Sequence, residues 1–154
     1  MKWSDLQNQE CPVARGLSVV GDRWTMLILR DCFLGFRRFE QIQERLGITR
    51  HVLADRLRKL ETAGVLRREP YQNRPLRHEY RLTDRGKAFY PTLVSLIEWA
   101  NAHVPTDQDP SVTLTSRDTG EPIAPVLVDA KTGQAITHRT VQAVMKGQGP
   151  RDEA

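Results

Sequence analysis

Residues 39–64 read FEQIQERLGITRHVLADRLRKLETAG, and this stretch decides the fold. On each side of Gly47, apolar residues recur at steps of three and four, which is the spacing of one face of an α-helix. Gly47 and Gly64 are residues that end helices, and Thr49 is a residue type that begins them. The stretch therefore predicts two helices joined by the short turn 47–49, which is a helix-turn-helix.

A β-hairpin is predicted directly after the second of these helices. Residues 65–69 (VLRRE) and 78–82 (HEYRL) have the composition of short strands, and the polar, proline-containing stretch 70–77 predicts a loop between them. A hairpin in this position is typical of the winged-helix arrangement.

Further helices are predicted on both sides of this motif. Asp22 predicts the start of a helix that carries Cys32 on its apolar side and ends near Gly35. Thr83 predicts the start of one long last helix. Its apolar stripe is wider than one small domain needs, which is typical of a surface that contacts another helix. The stripe comprises Phe89, Leu93, Val94, Leu96, Ile97, Trp99 and Ala100.

The composition changes after the last predicted helix. Residues 1–104 are expected to form the winged-helix domain, and 105–110 (PTDQDP) have the composition of a linker. Residues 111–146 are expected to form a small β-rich extension, and 147–154 a disordered tail. The fold class is therefore mainly α (α+β), a winged helix-turn-helix with a small β-rich C-terminal extension.

The extension contains an internal echo, because residues 116–123 (SRDTGEPI) and 129–136 (DAKTGQAI) match thirteen positions apart. This pattern resembles the paired knuckles of a zinc ribbon. The ligand positions would be occupied by Ser116, Thr119, Asp129 and Thr132. Hydroxyls and a single carboxylate are poor zinc ligands, so we expect no metal here and a small β-appendage instead.

Composition excludes several classes of protein. The chain has 154 residues, 39% of them hydrophobic, and no apolar run long enough to span a bilayer. Its start lacks the apolar region of a secretion signal, so we expect a cytoplasmic protein without membrane partners. Two cysteines are too few for a disulfide framework or a cysteine zinc finger. No Gly-rich phosphate loop, nucleophile elbow or histidine cluster occurs, so we expect neither an enzyme nor a cofactor.

The formal net charge of +4 is unevenly distributed. Residues 50–87 carry 11 basic and 5 acidic side chains, whereas 105–154 carry 5 and 7. A concentrated basic region attracts a polyanion such as nucleic acid, although many basic segments are only solvated surface.

The second helix of the motif has the features of a DNA-reading helix. At 100° per residue, Leu53, Leu57 and Leu60 share one side, and a polar face lies opposite. The N-terminal part of such a helix normally enters the major groove, where Arg, His and Asp can address base edges. The candidate DNA-binding residues of this helix are Thr49, Arg50, His51, Asp55 and Arg58. An ordinary solvated helix face is the alternative.

Four further arginines suit other parts of a duplex. Arg74 and Arg77 flank Pro75 at the predicted wing tip, and Arg side chains fit the narrow minor groove. Arg37 and Arg38 precede the first helix of the motif and suit phosphate contacts, which position a protein without specifying sequence.

Five blocks of the sequence carry a further signal, and they are CPVARGL (11–17), VGDRWTMLILRD (20–31), GFRRF (35–39), LADRLRKLE (53–61) and YRLTDRG (80–86). In this order they resemble the HxlR-type transcriptional regulators, and the resemblance covers roughly residues 8–103. The resemblance implies a winged-helix homodimer that binds a palindromic operator in double-stranded DNA as repressor or activator. It also implies that long N-terminal and last helices form the dimer interface.

The resemblance gives Cys11 a candidate role. Some family members sense electrophiles or oxidants through a cysteine near the N-terminus, and Cys11 stands at that position. Arg15, one helical turn along, would favour the thiolate. The alternative is an inert thiol, and Cys32 is expected in the core. Small-molecule effectors also occur in such regulators, but no residue here identifies one.

Two functions from different classes remain open. The first is a homodimeric, sequence-specific DNA-binding regulator, responsive to an oxidant or ligand. The second is a winged-helix module that binds protein or RNA without operator specificity.

Overall fold

The structure, a computed structural model, describes residues 3–108, 112–145 and 147. The predicted disordered tail, 147–154, lies outside the described residues except for Gly147. Contacts divide the chain into two units, residues 1–96 and 97–154, which are described separately.

The first unit follows the order expected of a winged helix. After a 3-10 helix (Trp3–Asn8) come the helices α1 (Pro12–Val20), α2 (Arg23–Phe33), α3 (Phe39–Leu46) and α4 (Arg50–Thr62). The antiparallel strands β1 (Leu66–Asn73) and β2 (Leu76–Leu82) follow, and then α5 (Asp84–Lys87) and the start of α6 (Tyr90–His103). The fold is mainly α with one two-stranded sheet, as predicted.

Local signals begin and end the helices where the sequence predicts. The Asp22 carboxylate accepts hydrogen bonds from the backbone N–H groups of Trp24 and Thr25, at 3.0 and 3.3 Å, and so caps α2. Gly47 ends α3 with a left-handed backbone conformation, φ +62°. Thr49 begins α4, because its hydroxyl oxygen accepts from the Val52 N–H at 3.3 Å.

The core lies where α2, α3 and α4 meet the base of the hairpin. Its most buried side chains are Ile28, Leu29, Ile42, Leu53, Leu57, Leu60 and Leu66. Cys32 is buried with them, as predicted. One charged group is enclosed as well: the carboxylate of Asp31 is fully buried and contacts Arg30 at 2.8 Å and Arg45 at 3.2 Å. The ion pair with Arg45 joins α2 to α3, because Arg45 belongs to α3.

The hairpin is longer than the sequence predicts. The stretch 70–77 is not a loop, because β1 and β2 continue to a turn at Arg74–Pro75, whose peptide bond is cis. Proline has no N–H for the ladder, and the pairing shifts register between Pro70 and Gln72. This bulge leaves Tyr71 without a cross-strand partner and lets the strands continue past the proline.

The prediction of one long last helix that starts at Thr83 is also wrong, because α5 ends at Lys87 and α6 begins at Tyr90. Pro91 is the physical reason, since it has no N–H to donate to the carbonyl of Lys87 and fits only the first turn of a new helix. Thr83 fixes the start of α5 next to the base of the hairpin, because its hydroxyl donates to the carbonyl of Gly64, just before β1, at 2.6 Å.

The N-terminal helix is not long, since α1 has nine residues. None of them is buried, and Val13 and Leu17 are 67% and 44% exposed. The expectation of a long N-terminal helix is therefore wrong, and the described residues leave Val13 and Leu17 of this short helix exposed.

The described part of the second unit continues from α6 into two equivalent turns, which confirms the thirteen-residue echo. The N–H of Gly120 donates to the Ser116 carbonyl at 2.9 Å, and that of Gly133 donates to the Asp129 carbonyl at 2.8 Å. Each turn carries one isolated β-bridge, Thr115–Pro122 and Val128–Ala135. Between 112 and 145 no regular strand forms, so the extension is less regular than the β-rich unit expected.

Candidate nucleic-acid interface

The face of α4 opposite the core is exposed and polar. His51, Arg58 and Thr62 are exposed, whereas Leu53 and Leu57 on the other side are buried. The guanidinium of Arg50 lies over the ring of Phe39, 4.7 Å from its centroid, at the start of the helix. The Thr49 hydroxyl is engaged in capping α4.

Asp55 lies on this face but is occupied by neighbouring cations. Its carboxylate contacts Arg56 at 2.7 Å and both Arg58 and Lys59 at 2.8 Å. The hydrogen bond from Lys59 is the main cause of a pKa below the usual range of an aspartate, and that from Arg58 lowers it further. Asp55 therefore holds the cations of α4 in place, and we expect it to orient Arg58 rather than to accept from a base.

Arg56, which is not among the predicted site residues, positions α4. Its guanidinium binds Asp22 through two hydrogen bonds, of 2.9 and 3.1 Å, and also contacts Asp55. It thereby ties α4 to the beginning of α2. The sequence could have indicated this role, because Arg56 lies at the border between the buried and the exposed face of α4.

Arg38 joins the start of α3 to the wing. Its guanidinium lies 4.4 Å from the centroid of the Tyr71 ring, and its backbone forms a bridge with Glu79. The neighbouring Arg37 is exposed, and its carbonyl accepts from the Tyr80 N–H at 2.7 Å. The arginines predicted for phosphate contacts thus lie beside the hairpin.

The cations of the hairpin differ between its base and its tip. Near the base, Arg67 pairs with Glu69 and Arg81 pairs with Glu79. At the tip, Arg74 and Arg77 are exposed, and neither side chain forms an ion pair within the described part of the chain. The charge free to meet an external anion is therefore concentrated at the tip.

The two cysteines lie in opposite environments. Cys11 is exposed immediately before α1, whereas burial raises the pKa of the Cys32 thiol to about 12. The guanidinium of Arg15 donates to the backbone carbonyls of Gln9 and Glu10. These hydrogen bonds direct the Arg15 side chain to the backbone just before Cys11.

Among residues 3–108, 112–145 and 147, no group of His, Cys, Asp and Glu side chains has the arrangement of a metal site. No described helix combines the length and the apolar character needed to cross a membrane.

Comparison with known proteins adds to this geometry. The family model for HxlR-like helix-turn-helix proteins matches residues 19–108. The protein Rv3095 of Mycobacterium tuberculosis, described as an uncharacterized HTH-type transcriptional regulator, is 43% identical over 84% of this chain and 82% of its own length.

Solved structures agree with these matches. The crystal structure of PA1607, assigned as a candidate transcription factor, superposes with a TM-score of 0.80 at 37% identity, over 92% of this chain and 98% of that one. HypR, described as a redox regulator and solved in its oxidized form, gives a TM-score of 0.58 at 31% identity, over 62% of this chain and 100% of its own.

Proposed function

Since the chain belongs to the HxlR-like helix-turn-helix family of transcriptional regulators, we propose that it acts as a homodimer that binds a palindromic operator. In this proposal the exposed face of α4 enters the major groove, and Arg74 and Arg77 meet the minor groove or the backbone. Arg37 and Arg38 contact phosphates beside the wing. Such a function requires the protein to work in the compartment that holds the chromosome.

The observation that carries the proposal is the contrast between paired and unpaired cations on the winged helix. Acidic side chains neutralise the arginines at the base of the hairpin, whereas the arginines at its tip have no such partner among the described residues. Unpaired guanidinium groups on a projecting hairpin are suited to an external polyanion.

Exposed apolar side chains support the dimer. Val13 and Leu17 of α1 are exposed, and so are Leu96 and Trp99 of α6, the last by 57%. The two side chains of each helix are three or four positions apart and so lie on one side of it, and adjacent exposed apolar side chains suit a surface that a partner covers. A second copy is the partner that the family resemblance implies.

A gel-shift titration tests this function. Labelled DNA from the region flanking the gene is expected to bind tighter than a random duplex of equal length at moderate salt, with affinity falling as salt rises. Equal affinity for both duplexes would reject operator specificity. A structured RNA competitor is the matched control, and preferential release by that RNA would favour the alternative module. Light scattering on the free protein tests the dimer.

We also propose that Cys11 responds to oxidants. Its exposure before α1 supports accessibility, and HypR, a structural neighbour, is described as a redox regulator. The test treats the wild type and Cys11→Ser with diamide before operator binding. The wild type is expected to change its affinity while the variant does not, and an equal response of both would reject the proposal.

A further inference from the structure

A cleft of about 1100 Å³ lies in the first unit, next to the exposed face of α4, with which it shares Arg58 and Thr62. It forms where α1, the start of α2, the second half of α4 and α5 come together. Its volume is slightly above the roughly 300–1,000 Å³ typical of small-molecule sites. The space is therefore large enough for a metabolite.

The charge of the cleft is strongly one-sided. Six cationic side chains line it against the single carboxylate of Asp22, and they are Arg15, Arg23, Arg56, Arg58, Lys59 and Arg85. Asp22 is bound by Arg56. Asp55, next to the cleft on α4, pairs with Arg56, Arg58 and Lys59, so the excess positive charge of the cleft comes from its other three cations.

Three of these arginines lack a carboxylate partner among the described residues. Arg15 donates only to backbone carbonyls, and Arg23 lies 4.8 Å from the centroid of the Trp24 ring. Arg85 forms no hydrogen bond, ion pair or ring contact among the same residues. Like charges gathered around one space repel each other, and an anion in that space would relieve the repulsion.

We propose that this cleft binds a small multivalent oxyanion, a metabolite with two or more phosphate or carboxylate groups. Guanidinium groups bind such groups through paired, charge-assisted hydrogen bonds, and several arginines around one site favour a ligand with several anionic groups. The recess favours a small ligand over the convex surface of a duplex, because Arg56 and Asp22 within it are only 22% and 32% exposed.

The position of Arg58 gives the ligand a regulatory consequence, which rests on the proposed DNA binding. Arg58 lines the cleft and also belongs to the exposed face of α4. An oxyanion in the cleft would attract its guanidinium and lower the positive charge offered to DNA. The ligand would therefore weaken operator binding.

Calorimetric titration of the full chain with inorganic pyrophosphate tests the site without any DNA, with sodium chloride of matched ionic strength as the reference. We expect saturable binding that weakens by about tenfold or more in Arg15→Gln and in Arg85→Gln, since one lost charged hydrogen bond has that effect. The matched control is Arg117→Gln, which removes an exposed arginine outside the cleft and should bind like the wild type. Arg23→Gln serves as a third cleft variant if either of the first two fails to fold.

Three results would overturn the proposal. If the heat of binding measured with pyrophosphate is no larger than that with chloride, the cleft is not a binding site. If all variants bind pyrophosphate with equal affinity, the ligand binds elsewhere on the protein. Failure to bind pyrophosphate, together with parallel loss of affinity for random duplex in the cleft variants, would assign these arginines to the DNA backbone. The calorimetry contains no DNA, so it tests the cleft independently of operator binding. If the protein binds pyrophosphate but no operator, the anion site stands and only the proposed function is rejected.

Discussion

Asp22 and Arg56 stand 34 residues apart in the sequence, yet both carboxylate oxygens of Asp22 accept from the guanidinium of Arg56, at 2.9 and 3.1 Å. The same carboxylate caps α2 through the N–H groups of Trp24 and Thr25. One side chain thus begins a core helix and holds α4, the helix proposed to read DNA, against it.

This double role predicts that two substitutions of Asp22 differ. Asn is as good a cap as Asp, so Asp22→Asn should lose mainly the ion pair and cost up to about 1 kcal/mol of unfolding free energy. Asp22→Ala loses the cap as well and should cost about 1–2 kcal/mol more. Urea unfolding at one fixed protein concentration measures both, and equal losses would mean that Asp22 does not cap α2.

Gly86 offers a test of the packing between α5 and the hairpin. A Cβ at this position would overlap the Val65 carbonyl oxygen and lie 3.0 Å from Leu82 Cδ2. Gly86→Ala should therefore destabilise the protein by about 1–3 kcal/mol. The control is Gly16→Ala in α1, where a Cβ meets nothing and should stabilise by roughly 0.5–1 kcal/mol. If Gly86→Ala and the wild type unfold at the same midpoint urea concentration, the close approach between residue 86 and the Val65 carbonyl is not present in solution.

The helix-turn-helix was predictable because local signals specify it. Asp22, Gly47 and Thr49 act on neighbouring backbone groups, and the apolar spacing of α4 decides which face is buried. The errors arose where tertiary pairing overrides composition. The polar stretch after Pro70 joins the ladder through a bulge, and Pro91 divides the last helix.

The ion pairs that the charged side chains form were the feature hardest to predict from the sequence. Helical geometry placed Asp55 on the outer face but could not show that three cations occupy its carboxylate. It gave no sign that Arg56 would pair with Asp22, because the two residues meet only after α2 and α4 have packed. The cationic cleft was missed for the same reason, since its arginines come from four separate segments.

Arg58 and Arg74 should differ in what they contribute to DNA binding. Arg58→Ala removes a guanidinium from the face assigned to base edges and should cost about 1–3 kcal/mol on the operator, with less effect on random duplex. Arg74→Ala removes a contact to the backbone or minor groove, so both affinities should fall together and the salt slope should decrease by about 1. Fluorescence anisotropy at several salt concentrations measures these quantities. Identical losses on both duplexes for both variants would contradict the division of roles.

The two thiols should differ in reactivity. In the native protein iodoacetamide should modify Cys11 alone, because Cys32 is buried and its pKa of about 12 keeps it protonated at neutral pH. Intact-mass spectrometry should therefore show one adduct on the wild type and none on Cys11→Ser. The control is the same reaction in urea, where one further adduct should appear on each protein. Native modification of Cys11→Ser would show that Cys32 is accessible.

The ion pairs of Asp55 predict a stability effect that depends on pH. The pKa of Asp55 lies below its ordinary value in the folded protein, chiefly because of Lys59, so its contribution is present above the unfolded pKa of about 3.9. It is lost as the pH falls through the folded value and the carboxylate gains a proton. Asp55→Asn should therefore be less stable than the wild type by up to about 1 kcal/mol at pH 7, and the difference should vanish in strong acid. Because Asp55 is partly exposed, 1 M salt should also reduce it. Urea unfolding of both proteins across this pH range measures the effect. A difference that persists or grows in acid would show that Asp55 stabilises the fold by something other than its charge.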